Sequence, residues 1–294
     1  MSDPDTQLPA AEVIRRPPWR GWIAEPFTRP ELERFVADPP ALFALPEARL
    51  IKASRNRLTR VRPAGGAERF AWVVKEFSNR RPLAFLQNAW RTSKALKGWE
   101  KARALLARGL PTPQPRLALE RRGPLGLLVT SVLVVDDLGE AVQIRQVFKD
   151  LRAAFRCGET AFLSPHGDRI DRAAFLESLA GLVRRMHDAG VLHRDLSGGN
   201  ILICFAPGGR WTFSLVDINR ARITPALAPE ERLLDLERVN VAPEDRALFF
   251  AAYGAGSEAL RALEPAYARC VERYRQYREG HGALAYKLTR YLRF

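Results

Sequence analysis

Apolar and polar positions change period along this chain, and the change divides it. Between residues 48 and 77 apolar positions come in short runs: Arg49-Leu50-Ile51-Lys52, Leu58-Thr59-Arg60-Val61 and Phe70 to Phe77. That spacing predicts β-strands. A basic stretch, 80–108, then takes the helical period. Leu96, Trp99, Ala102 and Leu106 make one stripe, and Gly109 ends it. Pro111, Pro113 and Pro115 force an extended exit into two further strands, Leu117 to Glu120 and Leu127 to Val135. Phe175 to Ala189 is helical again, with Leu176, Leu179, Leu182, Val183 and Met186 on one face and Gly190 as its stop. Ile201 to Cys204 and Trp211 to Val216 read as a hairpin around Ala206-Pro207-Gly208-Gly209. Helices fill 230–277. Two begin at Ala228-Pro229-Glu230 and Ala242-Pro243-Glu244, where proline takes the first helical position and the acid meets the helix dipole.

Strands followed by helices predict an α+β fold. A small antiparallel-sheet lobe is expected at 47–134 and a mainly helical lobe at 135–294. A Pro-rich extension, 1–46, precedes them. In it Trp19 and Trp22 read as packing residues, and Thr28-Arg29-Pro30-Glu31 as the start of a short helix ending before Pro39-Pro40. The tail from Leu284 to Phe294 alternates apolar residues with Lys287, Arg290 and Arg293. It suits packing on the domain or contact with anionic lipid.

Charge changes the picture. The 294 residues carry a formal charge of +14. That fits an anionic partner such as nucleic acid, a membrane surface or a phosphorylated glycan, and fits equally an Arg-rich solvated surface. Cys157, Cys204 and Cys270 lack metal-ligand spacing and read as reduced thiols of a cytosolic protein. Met1 to Asp5 do not resemble a signal peptide, and the apolar run Leu125 to Val135 is too short to span a bilayer. A soluble, at most peripheral, chain is expected.

The chemistry concentrates at Val191-Leu192-His193-Arg194-Asp195-Leu196-Ser197-Gly198-Gly199-Asn200, followed by the hairpin and Leu215-Val216-Asp217. His-Arg-Asp-Leu-x-x-x-Asn is the catalytic-loop pattern of kinase-like phosphotransferases. A hydroxyl acceptor must lose a proton as a phosphoryl group arrives, and Asp195 is placed to take it. The oxygens of Asn200 and Asp217 suit a hard cation, Mg²⁺ or Mn²⁺, and the hairpin is expected to bring the two together. Upstream, Val73-Val74-Lys75-Glu76 matches the strand lysine that reaches ATP phosphates. Glu100, at the edge of the helical stripe, is its expected ion-pair partner. No Gly-x-Gly-x-x-Gly precedes Lys75. Ser54, Arg55 and Asn56 are the candidates for covering the phosphates, while Gly65-Gly66 reads as an ordinary hairpin loop. Adenine is expected against backbone groups between about Ser131 and Asp137. His193 reads as structural, since the four histidines form no cluster in sequence.

The lysine strand, the glutamate helix, Gly109-Leu110-Pro111-Thr112-Pro113, the catalytic loop and Asp217-Ile218-Asn219-Arg220-Ala221-Arg222 together resemble the bacterial lipopolysaccharide kinases. These have a bilobal protein-kinase-like fold and phosphorylate Kdo or heptose sugars of the inner core. The resemblance covers about Leu50 to Ala252. It implies ATP, a divalent metal, a lipid-linked anionic glycan acceptor rather than nucleic acid, and work at the cytoplasmic face of the inner membrane. By match, Asp195, Lys75 and Glu100 are catalytic and Asn200 and Asp217 hold metal. Arg220 and Arg222 stand where they can meet an acceptor's anionic groups or form structural ion pairs. Arg194 stands where many members have glycine, and Asp-Ile-Asn replaces the Asp-Phe-Gly of protein kinases. Ala228-Pro229-Glu230 follows Asp217 too soon to close an activation loop, so Arg194 reads as structural. A protein kinase, a small-metabolite kinase and a non-catalytic binding module of the same fold are the alternatives.

Overall fold

The computed structural model describes residues 8–16, 18–25, 48–53, 56–61, 72–78 and 91–281. It divides into two compact units: Met1–Glu140 with Ser214–Asn219, and Ala141–Phe213 with Arg220–Phe294. The α+β class expected from the sequence is the one found, with an antiparallel sheet in the N-terminal region and helices in the C-terminal region. The helix expected after Thr28, the Gly65-Gly66 loop and the tail from Leu284 lie outside the described residues.

The described part of the first unit is built on a seven-stranded antiparallel sheet. Its strands are β1 (Ala11–Arg16), β2 (Trp19–Ala24), β3 (Arg49–Ala53), β4 (Arg57–Val61), β5 (Trp72–Ser78), β6 (Pro115–Arg122) and β7 (Leu128–Asp136), in the order β1-β2-β6-β7-β5-β4-β3. Residues 11–24 therefore join the sheet instead of standing apart as an extension, because β2 pairs with β6 from Trp19↔Arg121 to Ile23↔Leu117. Gly21 makes this pairing possible: a Cβ there would lie 1.8 Å from the Ala118 carbonyl oxygen.

One sheet face buries Ile14, Trp19, Ile23, Val61, Trp72, Val74, Leu117, Leu119, Val132 and Val134. The other face packs Ala24, Phe77, Ala118 and Leu133 against Ala95 and Trp99 of helix α1 (Lys94–Leu106). Ser93 caps α1 by accepting a 3.2 Å bond from the Leu96 N–H. The buried stripe of α1 is Ala95, Gly98, Trp99, Ala102 and Leu105, with Leu96 and Leu106 only half-buried. Small residues face the sheet because the approach is close: a Cβ on Gly98 would come within 2.8 Å of Leu133 Cδ2. Under α1, Glu120 is fully buried and receives Arg20 at 2.7 Å and Arg122 at 2.8 Å. Burial pushes its pKa up, but the hydrogen bonds from Arg122, Arg20 and Ser93 outweigh that and hold it below the usual carboxylate range.

The second unit centres on helix α3 (Arg172–Asp188), whose Phe175, Leu176, Leu179, Leu182, Val183 and Met186 are fully buried. Before it come β8 (Val142–Gln143), helix α2 (Ile144–Arg156) and the hairpin β9 (Ala161–Leu163) with β10 (Arg169–Asp171). After it come β11 (Val191–Leu192), β12 (Ile201–Ala206), β13 (Arg210–Leu215) and β14 (Arg222–Ile223). Strands β13-β12-β8 form one small sheet and β11-β14 another. Helices α4 (Pro229–Val239), α5 (Arg246–Tyr253), α6 (Glu258–Arg261) and α7 (Leu263–His281) complete it. Phe249, Phe250, Tyr253 and Tyr267 form its aromatic core. No helix among the described residues is long and apolar enough to cross a membrane.

Candidate active site

The sequence-predicted residues fall into two groups, one in each unit. In the first unit, strand alternation sends Val74 into one sheet core and Lys75 to the face that carries Phe77, whose ring centroid lies 5.4 Å from Lys75 Nζ. Nζ reaches Asp217 Oδ1 at 2.9 Å. Asp217 has φ 57°, a left-handed conformation that costs a non-glycine residue about 1 kcal/mol or more and is kept only where neighbours fix it. Here the Leu215 N–H donates to the Pro111 carbonyl at 2.8 Å, and Thr112 Oγ1 donates to the Leu215 carbonyl at 2.7 Å. Ile218 is buried, and Asn219 Oδ1 would lie 3.0 Å from a Cβ on Gly98. The Gly-Leu-Pro-Thr-Pro exit thus ties segment 214–219 to the first unit and presents Asp217 to Lys75.

Glu100 is not the partner of Lys75. It sits on the exposed side of α1, because the close packing of α1 on the sheet leaves room only for Ala95, Gly98 and Ala102 around Trp99. The segment expected to hold adenine lies mostly within β7. Strand β7 is paired on both sides, with β5 through Asp136 and with β6 through Val135, so most backbone groups from Ser131 to Val135 are consumed by the sheet. Beyond β7, Arg60 pins the turn through the Asp137 carboxylate at 3.0 Å and the Gly139 carbonyl at 2.5 Å. Ser54 and Arg55 lie outside the described residues, and Asn56 is half-buried in the bend before β4.

In the second unit the catalytic loop leaves β11 and is gripped from below. Asp235, on the buried face of α4, accepts the His193 N–H at 2.5 Å and the Arg194 N–H at 2.7 Å. Arg194 has φ 65°, so its structural role is a left-handed turn that these bonds hold. Beside Asp235, His187 is fully buried, with Nε2 3.5 Å from Asp235 Oδ2 and Nδ1 2.7 Å from the Tyr253 hydroxyl. Burial drives the His187 pKa down against the opposing pull of Asp235. Burial likewise pushes the Tyr253 phenol up to about 12.

Asp195 lies one residue beyond this anchor. Arg238 Nη1 donates to its Oδ1 at 2.5 Å, and Arg220 Nη1 stands 3.9 Å from Oδ2. Asn200 Nδ2 donates to the Asp195 backbone carbonyl at 2.7 Å, which commits the amide nitrogen and leaves the amide oxygen as a donor atom for a cation. Arg222 pairs with Glu231 instead of facing Asp195, and hydrogen bonds from Arg222 and the Ala228 N–H hold Glu231 below the usual carboxylate range.

Asp235 and Arg238 escaped the sequence reading, and Thr112 entered it only as part of the Gly-Leu-Pro-Thr-Pro motif. For Asp235 a signal existed: an aspartate among Leu233, Leu234, Leu236 and Val239, on a helix whose apolar face must be buried, demands a partner. No group of three or more His, Cys, Asp or Glu is assembled for a metal among the described residues. Taken each in its own unit, the half-exposed Asp217 carboxylate and the Asn200 amide oxygen are oxygens of the kind a hard divalent cation takes.

A model of the lipopolysaccharide kinase (Kdo/WaaP) family matches residues 84–253, more than half of the chain. Among solved structures, WaaP in complex with acyl carrier protein is similar at a TM-score of 0.57 and 22% identity, covering 85% of this chain and 95% of that one. The Rio2 kinase–ADP/Mg²⁺–phosphoaspartate complex from Chaetomium thermophilum gives 0.43 and 16%, covering 92% of this chain and 82% of that one. Comparison with curated proteins gave no match. The likeness to WaaP is one of fold, protein-kinase-like. With more than half its length matched by the family model, the chain belongs to the lipopolysaccharide kinase (Kdo/WaaP) family and is a kinase, an ATP-using phosphotransferase.

Proposed function

We propose that this kinase transfers the γ-phosphoryl group of ATP to a sugar hydroxyl of the lipopolysaccharide inner core, on Kdo or heptose. The observation that carries the reading is the hold on Asp195: a catalytic-loop carboxylate fixed by Arg238 on one oxygen, with its backbone pinned by Asn200 and, one residue earlier, by Asp235. In this reading the acceptor hydroxyl attacks the γ-phosphorus, its proton passes to Asp195, and the bond to the β,γ-bridging oxygen breaks with its electron pair left on ADP. Lys75 supplies a point charge to the ATP phosphates and Asp217 orients Lys75. Asn200 and Asp217 would hold Mg²⁺ or Mn²⁺, which when bound neutralises phosphate charge. Only a short 3-10 turn and the two residues of β14 separate Asp217 from the bend leading into α4, so no long loop is available there to grip an extended peptide. That favours a glycan over a protein acceptor. The formal charge of +14 suits work beside an anionic membrane surface, at its cytoplasmic face.

The test is ATP turnover on a panel of inner-core oligosaccharides against a generic protein substrate. Asp195→Asn is expected to lower turnover of the glycan ~10²-fold or more with ATP binding nearly intact. Phosphorylation of the protein with the glycans untouched would refute the glycan reading. Nucleotide binding without turnover of any acceptor would make the chain a binding module.

A further inference from the structure

Three arginines near Asp195 are already engaged. Arg238 and Arg220 face its carboxylate at 2.5 and 3.9 Å, and Arg222 bonds Glu231. Arg145 differs: it is exposed, and no carboxylate among the described residues pairs with it. Its backbone N–H donates to the Gly198 carbonyl at 3.0 Å, which seats the first turn of α2 on the catalytic loop. Its side chain then runs along that loop. A Cβ on Gly198 would lie 2.9 Å from Arg145 Cβ, so only glycine lets the two approach. A Cβ on Gly199 would meet Arg145 Nη1 at 3.9 Å and Ser197 Oγ at 4.0 Å. Guanidinium and hydroxyl thus flank the same loop residue, a few residues beyond Asp195. The loop residues Leu196 to Gly199 bring no charge of their own. A planar fork of N–H donors beside an O–H donor suits a carboxylate or a phosphate.

We propose that Arg145, with Ser197, binds the anionic substituent of the acceptor next to the hydroxyl that is phosphorylated. This rests on the glycan reading above and names the residue that reads the acceptor's charge. Arg220, Arg222 and Arg238 shape Asp195 and its surroundings, while Arg145 selects the substrate.

The experiment uses a Kdo-terminated inner-core oligosaccharide and the same oligosaccharide with its carboxylates reduced to alcohols. Wild type is expected to prefer the carboxylate-bearing form. In Arg145→Ala that preference, as a ratio of kcat/KM values, falls about tenfold or more, and the change lies in the KM for the acceptor and not in the KM for ATP. Arg145→Lys, a point charge without the fork, recovers part of the preference. Arg145→Gln keeps the backbone bond and much of the side chain, and serves if the alanine variant does not fold. An equal loss on both oligosaccharides, a rise in the KM for ATP, or an unchanged preference overturns the assignment of Arg145. Wild type that phosphorylates neither form, nor a heptose-terminated inner-core oligosaccharide, overturns the glycan reading itself.

Discussion

Replacing Asp235 by alanine removes the acceptor of two backbone N–H groups at once, the buried one of His193 and the half-buried one of Arg194. The buried donor costs ~1–3 kcal/mol once orphaned and the half-buried one, within reach of water, costs less, so the loss is ~1–3 kcal/mol or somewhat more if the loop stays in place. The loop has reason to move instead. Arg194 is held at φ 65°, and releasing that left-handed turn returns ~1–2 kcal/mol. Asp195 follows directly, so relaxation at Arg194 swings its carboxylate, the proposed base, away from Arg238, now 2.5 Å away. A misplacement of ~1 Å at such a group costs ~10²-fold in rate. Asp235→Asn is the sharper variant. It keeps the volume and one acceptor oxygen but turns an NH₂ toward one of the two N–H groups. We expect it to fold at assay temperature with a lowered Tm, to lose ~10-fold or more in kcat, and to change the KM for ATP little. Thermal unfolding and steady-state kinetics with the glycan acceptor measure both. Wild-type kcat and Tm in Asp235→Asn would refute the anchoring argument. A lowered Tm with unchanged kcat would show that Asp235 stabilises the unit without positioning Asp195.

Thr112→Val removes the hydroxyl that bonds the Leu215 carbonyl, a loss of ~1–3 kcal/mol focused on the segment that carries Asp217. A smaller nucleotide-dependent thermal shift than wild type is expected, and an equal shift would contradict the role given to the Pro-Thr-Pro exit. Glu100→Ala should leave kcat within about twofold and add independently to Lys75→Ala, whereas Lys75→Ala and Asp217→Ala should be non-additive because they remove one contact. A double-mutant cycle showing coupling of Glu100 to Lys75 would reverse that assignment. Stability should fall as pH drops below about 6.5: burial lowers the His187 pKa in the folded protein, the unfolded chain takes up the proton first, and the linkage favours unfolding from the ordinary histidine value downward. Tm measured from pH 7.5 to 5.5 should show a shallower slope in His187→Gln; parallel slopes would exclude His187 as the cause.

The kinase chemistry is legible in the chain because it is local. Asp195 and Asn200 stand in one short motif, Asp217 follows it in sequence after one hairpin, and Lys75 lies in a strand whose apolar alternation is plain. The α+β class follows equally from periods of two giving way to periods of three and four. The second half of each contact is what the sequence withheld. A helical stripe says which face of α1 is apolar, yet only the sheet beneath it required Gly98 and Ala102 there and left Glu100 in water. Strands β1 and β2 were hidden by the prolines that flank them in sequence and by their arginines, since an outer strand can leave Val13 54% exposed and still be held by its ladder. Lys75 meets Asp217 across 142 residues of chain, and Asp235 meets the loop across about 40. Residue type announces that a buried charge needs a partner; only the packing of distant elements decides which group supplies it.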